Sequence, residues 1–233
     1  MSAVEYCGRK DLLKHRIKGV LFDMDGIILD TERLYTRFWM EAANSLGVPM
    51  RLEHALGIRS TNHVDAEAKL KAWFGPETSH QQIRKRRIEM MEAYINENGV
   101  ELKPGIYPLM DYLKSQGIKT AIATSSPVER VEQHLAGTGL SERFDAITTA
   151  YMVKKGKPEP DIYLLAAEKL GLQPDECIAL EDSPSGITSA FRAGCHTIMI
   201  PDQDQPTDEL RNMLYAKADR LDDVISIIEE MNK

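Results

Sequence analysis

Apolar residues along this chain fall into two alternating rhythms. Short continuous runs of strand-forming residues recur at 20–22, 119–123, 144–149, 177–180 and 197–200. Between the later runs lie stretches whose apolar positions return every three or four residues, over 106–115, 128–135, 161–170 and 187–193. Continuous runs suit strands buried on both faces, and the longer period suits helices with one buried stripe. Strand alternating with helix predicts a parallel sheet covered by helices on both faces. Gly117, Gly139, Gly171 and Gly194 stand where those helices should stop, because glycine takes up the left-handed conformation that ends a helix.

Residues 33–97 break the alternation. They carry helical stretches over 34–46, 62–73 and 80–98 and no convincing strand. An all-helical domain is therefore expected over 33–97, inserted into one discontinuous α/β core made of 1–32 and 98–233. Trp73, Met90, Met91 and Tyr94 read as the interior of the insert, and the run Arg84, Lys85, Arg86, Arg87 reads first as a solvated helix face. Arg59 follows Gly57 in a predicted loop of the insert, from which it could reach a substrate.

The composition narrows the class. A chain of 233 residues that is 42% hydrophobic suits a core domain with a smaller insert. The net charge of −7 argues against nucleic acid as a partner. No apolar run reaches the roughly 18 residues of a membrane span, and the N-terminal segment lacks the apolar centre of a signal peptide. A cytoplasmic protein without a membrane partner is expected, and a monomer is the default. Cys7, Cys177 and Cys195 are odd in number and read as reduced thiols. The six histidines are scattered, without a His-x-x-x-His pair, so no zinc site is assigned. Neither Gly-x-Gly-x-x-Gly nor a Gly-Lys-Ser/Thr P-loop occurs.

Open parallel sheets bind ligands at the carboxyl ends of their strands. The first run ends in Asp23-Met24-Asp25-Gly26. Residues two apart leave a strand on the same side, and two acids held there repel each other unless a cation lies between them. Mg²⁺ suits that setting, since it takes one or two carboxylates plus substrate phosphate. The alternative is an ordinary solvated Asp-x-Asp loop. After the second run, Thr124-Ser125-Ser126-Pro127-Val128-Glu129 offers hydroxyls, and Ser126, Pro127 and Glu129 have the spacing of a capping box with proline at the first helical position. That helix start would present N–H groups to an anion or would be a plain cap. After the third run, Lys157 precedes Pro158 in a stiff turn and could neutralise phosphate, where Lys154 and Lys155 read as solvated. After the fourth run comes a second acid pair, Glu181 and Asp182. If the first and fourth strands are neighbours, Asp23, Asp25 and Asp182 surround one site.

Taken together, these four stations resemble the four motifs of the haloacid dehalogenase-like superfamily, which consists mostly of phosphohydrolases. Asp23-Met24-Asp25-Gly26 is similar to its first motif, Thr124 to its second, Lys157 to its third and Glu181-Asp182 to its fourth. The insert resembles its helical cap, and the likeness spans essentially the whole chain. The phrases Leu29-Asp30-Thr31-Glu32-Arg33-Leu34-Tyr35 and Gly156-Lys157-Pro158-Glu159-Pro160-Asp161 resemble the β-phosphoglucomutase and sugar-phosphate phosphatase branch. The resemblance implies a Rossmann-like core and a Mg²⁺-dependent phosphatase of a small phosphomonoester. It implies Asp23 as nucleophile, forming an aspartyl-phosphate, and Asp25 as general acid and base. Metal ligation would fall to Asp23, Asp182 and the Asp25 backbone carbonyl, with Glu181 nearby. Thr124, Ser125 and Lys157 would hold phosphate, while Arg59 and Ser126 would meet substrate.

A phosphosugar mutase of the same superfamily is the alternative. Its pattern has a histidine where this chain has Tyr35 and a Lys-Asn pair where it has Pro127-Val128. Both departures favour hydrolysis, while Arg59 and Arg86 keep the mutase open. Dehalogenation is disfavoured, because members with that activity need no metal and lack the second acid of the first motif. The alternative of another class is a non-catalytic phosphate sensor, against which the intact nucleophile and acid/base argue.

Overall fold

The apolar runs pair side by side. The computed structural model describes residues 4–7, 15–59, 61, 63–202 and 205–233. Its strands are β1 (Val4–Tyr6), β2 (Gly19–Phe22), β3 (Lys119–Thr124), β4 (Ala146–Thr149), β5 (Cys177–Glu181), β6 (His196–Met199) and β7 (Ala216–Ala218). They form one sheet in the order β1-β7-β6-β5-β2-β3-β4. All neighbours are parallel except β1 and β7. The edge strand β1 and its neighbour β7 are not foreseen from sequence, because three residues each (Val-Glu-Tyr and Ala-Lys-Ala) are too short to show a period. The predicted strand over 144–149 begins only at Ala146.

The chain divides into two compact units, one of residues 1–29 and 102–233 and the other of residues 30–101. The second unit is helical: α1 (Glu32–Ser45), α2 (Leu52–Ile58), α3 (His63–Phe74) and α4 (His80–Asn98). Its interior is built from Ala42, Ala43, Met50, Ala55, Ile58, Ala66, Leu70 and Ile83, with Phe38, Met91 and Ile95 forming a second cluster. Two expectations are corrected here. Gly57 lies inside α2 rather than in a loop, and Arg59 is the residue that caps it. A Cβ on Gly57 would stand 2.8 Å from the Trp73 ring, so glycine allows that close approach at some cost in helix propensity. Trp73 itself is 41% exposed and is not interior. Asn62, the predicted first residue of the helix now seen to start at His63, lies outside the described residues.

The first unit adds α5 (Ile106–Ser115), α6 (Val128–Leu135), α7 (Asp161–Leu170), α8 (Pro184–Ala193), α9 (Asp208–Arg211) and α10 (Val224–Met231). On α7 the buried positions Ile162, Tyr163, Ala166, Ala167 and Leu170 make one stripe, and Gly171 ends the helix in the left-handed region. That stripe packs with Leu21, Ala121, Ala123, Cys177 and Ala179 of the sheet and with Ala190 and Ala193 of α8. Alanines on both partners let the helix backbone lie close to the strands. Strand side chains alternate, so Val20, Phe22, Ile122, Ile178 and Leu180 are buried on the opposite face, where α5 packs on β3 and α10 packs on α5. Helix α6 ends at Leu135, so Gly139 is not its terminator, in contrast to Gly117, Gly171 and Gly194 at the ends of their helices. The described cysteines are free; burial pushes the Cys177 thiol up to about 12. No helix among the described residues is long and apolar enough to cross a membrane.

Candidate active site

The sheet order puts β2 between β3 and β5, with Phe22 level with Ile122 on one side and Leu180 on the other. The residues that follow those strands therefore emerge at one edge. Asp23 donates its N–H to the Leu180 carbonyl at 3.0 Å, which extends the pairing by one residue and fixes where its side chain leaves. The chain then folds back: Ile28 and Leu29 both donate to the Met24 carbonyl, and Gly26 donates to Leu29. Gly26 has φ +80°, and a Cβ there would run into the Asp182 carboxylate. Glycine is thus required twice, for the turn and for the approach of Asp182.

Lys157 is brought to the same edge by the turn before α7. Glu159 donates to the Gly156 carbonyl at 3.0 Å, and α8 ties down the far side of the turn, with Ser189 Oγ donating to the Glu159 carbonyl at 2.6 Å. The Lys157 side chain is 6% exposed. It donates to Asp23 Oδ1 at 2.7 Å, Glu181 Oε1 at 2.6 Å and the Ala123 carbonyl at 3.0 Å. Burial by itself would discharge the lysine, but the carboxylates of Asp23 and Glu181 outweigh it and hold the ammonium above its ordinary range.

Glu181 is fully buried at the end of β5. Its Oε1 accepts from Lys157 and from the Tyr163 hydroxyl at 2.7 Å, while Oε2 accepts from Asp182 N, Ser183 N and Ser183 Oγ. Ser183 also caps α8, accepting from Gly186 N at 3.1 Å. That cap starts the helix at Pro184 rather than at the predicted residue 187.

The arrangement suits a hard divalent cation. Oxygen atoms of Asp23, Glu181 and Asp182 lie within 4.8 Å of one another, an all-carboxylate donor set of the kind that Mg²⁺ takes. The room that Gly26 leaves for Asp182 is part of that fit. Burial raises the Asp23 carboxyl; Lys157 pulls it down, Glu181 and Asp25 push it up, and the balance stands at about 7. A bound cation would favour its ionised form.

At the end of β3, Thr124 is buried and its Oγ1 accepts from Ser126 N at 3.1 Å. Ser125 is exposed. Ser126 does not form the predicted capping box: α6 begins at Val128, Pro127 stands at its N-cap, and no side chain caps it. The Ser126 hydroxyl instead donates to Asp25 Oδ2 at 3.2 Å. A carboxylate 101 residues away competes for the hydroxyl, a contact that local spacing cannot reveal.

A family profile described as haloacid dehalogenase-like hydrolase matches residues 17–194. The chain belongs to that family. Hexitol phosphatase A of Escherichia coli (strain K12) is 38% identical to this haloacid dehalogenase-like hydrolase over 195 residues, covering 79% of this chain and 83% of that protein. Beta-phosphoglucomutase of Bacillus subtilis (strain 168) is 30% identical over 196 residues, covering 82% and 85%. Among solved structures, one assigned as a beta-phosphoglucomutase of Thermotoga maritima superposes with a TM-score of 0.75 at 28% identity, covering 92% of this chain and 99% of that one.

In the helical unit of this hydrolase, Arg59 lies 3.9 Å from Glu32, both largely buried. Arg84, Lys85 and Arg86 are exposed, whereas Arg87 leaves the basic run to stack over Tyr35 at 4.7 Å and Trp39 at 5.0 Å. Lys154 and Lys155 are exposed as expected. Tyr163 is not foreseen from the sequence. The available signal was a polar-tipped aromatic on the otherwise aliphatic buried stripe of α7, directly after the lysine turn.

Proposed function

We propose that this haloacid dehalogenase-like hydrolase is a Mg²⁺-dependent phosphatase of a small sugar or polyol phosphate, acting through an aspartyl-phosphate on Asp23. One observation carries the reading: Asp23, Asp182 and Lys157 converge although they come from three separate segments. Asp23 attacks phosphorus through its carboxylate, and the leaving alcohol departs from the opposite side. Asp23, Asp182 and the Asp25 carbonyl would hold Mg²⁺, which when bound offsets the repulsion between carboxylate and phosphate. Glu181 braces the site from beside it. Lys157, Thr124 and Ser125 hold the phosphoryl oxygens as charge redistributes. The Asp25 carboxyl, oriented by Ser126, protonates the leaving oxygen and later takes a proton from the water that hydrolyses the phospho-aspartate.

The helical unit, 30–101, serves as the cap that selects substrate, with Arg59 and Ser126 as substrate contacts. The names of hexitol phosphatase A and beta-phosphoglucomutase point to phosphorylated six-carbon substrates. Tyr35 and Pro127-Val128 stand where a mutase pattern has polar groups, which favours hydrolysis.

The test is phosphate release from p-nitrophenyl phosphate and from a panel of hexitol and sugar phosphates with and without Mg²⁺. Metal-dependent release that Asp23→Asn abolishes supports the reading. Isomerised sugar phosphate without net release would replace it with the mutase, and tight binding without turnover would replace it with a sensor.

A further inference from the structure

Tyr163 is fully buried on the first turn of α7, and its ring and its hydroxyl face different partners. The ring centroid lies 5.2 Å from the Lys157 ammonium, and the hydroxyl donates to Glu181 Oε1 at 2.7 Å. That oxygen is the one Lys157 also reaches, at 2.6 Å. The other Glu181 oxygen is held by Asp182 N and by Ser183. An ammonium has three donors, and those of Lys157 go to Asp23, Ala123 and Glu181. Its position against Asp23 therefore depends on where Glu181 stands and on how strongly Oε1 attracts it.

An apolar ring would fill the same space against the alanines of the sheet. Burying a phenol hydroxyl is costly unless it is hydrogen-bonded, and the bond to Glu181 offsets that cost. It also divides the acceptor capacity of Oε1 between two donors. Without the hydroxyl, that oxygen turns wholly to Lys157 and draws the ammonium away from Asp23. We propose that Tyr163 is a positioning residue which, acting through Glu181, sets where Lys157 sits beside the Asp23 nucleophile. The catalytic consequence rests on the phosphatase reading above; the geometric one does not.

The variant Tyr163→Phe keeps the ring and removes only the hydroxyl. In ¹⁵N-labelled full-length protein, the Lys157 side-chain ammonium resonance, identified by its loss in Lys157→Met, is expected to shift and broaden in Tyr163→Phe. With Mg²⁺ and p-nitrophenyl phosphate, kcat is expected to fall about tenfold, the size of one hydrogen bond to a charged group, with KM within about twofold. In a Glu181→Gln background the same substitution should cost no more than about twofold further, since a neutral amide oxygen draws the ammonium far less than the carboxylate does. An unmoved Lys157 resonance would overturn the proposal. So would a kcat loss that multiplies in full on top of Glu181→Gln. Absence of turnover in the wild-type protein would sink the phosphatase reading alone, because the resonance still decides the position of Lys157.

Discussion

The Lys157 ammonium and the Asp23 carboxylate lie 2.7 Å apart although 134 residues separate them in the chain. Both are largely buried, and Glu181 shares the same ammonium. A lysine placed so opposes two carboxylates at once and lies where an incoming phosphoryl oxygen would need a positive partner.

Lys157→Met should leave two buried carboxylates without their ammonium. Removing one partner of a buried pair costs about 3–5 kcal/mol. Chemical denaturation of the metal-free variant should show a loss of that order, partly recovered when Mg²⁺ is added. Turnover should fall by about 10²–10³, as when a preorganised charge donor is removed. Wild-type stability without metal would show that the pair contributes little.

Metal affinity should depend on pH through Asp23. Burial, together with the acids beside it, raises this carboxyl to about 7 despite Lys157. Below that pH the group carries a proton that an arriving cation must expel, and above it the carboxylate is ready. Mg²⁺ binding measured by calorimetry should weaken about tenfold for each pH unit below 7 and level off above it, with about one proton released per ion on the acid side. A flat affinity across the acid range would mean that Asp23 does not ligate the ion.

Gly26→Ala should damage the site while sparing the sheet. The new Cβ is pressed into the Asp182 carboxylate and sits on a left-handed backbone, where a side chain costs about 1–2 kcal/mol. Circular dichroism should stay native-like, and Mg²⁺ affinity and turnover should both fall by at least about tenfold. Unchanged affinity would remove Asp182 from the ligand set.

Asp25→Asn should separate the two halves of the reaction. The amide can neither protonate the leaving group nor take a proton from water, so turnover should fall by about 10²–10⁴. Rapid-quench experiments should find phosphorylated Asp23 forming slowly and persisting. Ser126→Ala, which removes the hydroxyl 3.2 Å from Asp25, should cost only a few-fold in kcat, in keeping with one hydrogen bond.

Much of this was legible in the order of residues. The continuous runs at β2, β3 and β5 and the stripes of α5 and α7 carry their own periods, so the alternation and the helical insert could be read directly. So could the acids, hydroxyls and lysine that follow successive strands. Short elements could not: β1, β7 and α9 hold three or four residues each, too few to show a repeat. Gly57 disguised α2 as a loop, because its reason is the Trp73 ring rather than any local preference. Ser126 looked like a cap by spacing and proved to be a partner of Asp25.

The sequence by itself determined which segments become strands and helices and which chemical groups stand at the strand ends, since propensity, periodicity and turn residues act over a few neighbours. Only the tertiary structure decided that β2 lies between β3 and β5, that Asp182 fits over Gly26, and that Tyr163 shares the Glu181 oxygen with Lys157. Those relations arise from packing between segments far apart in the chain, where close approach and competition for a single acceptor are settled by three-dimensional fit.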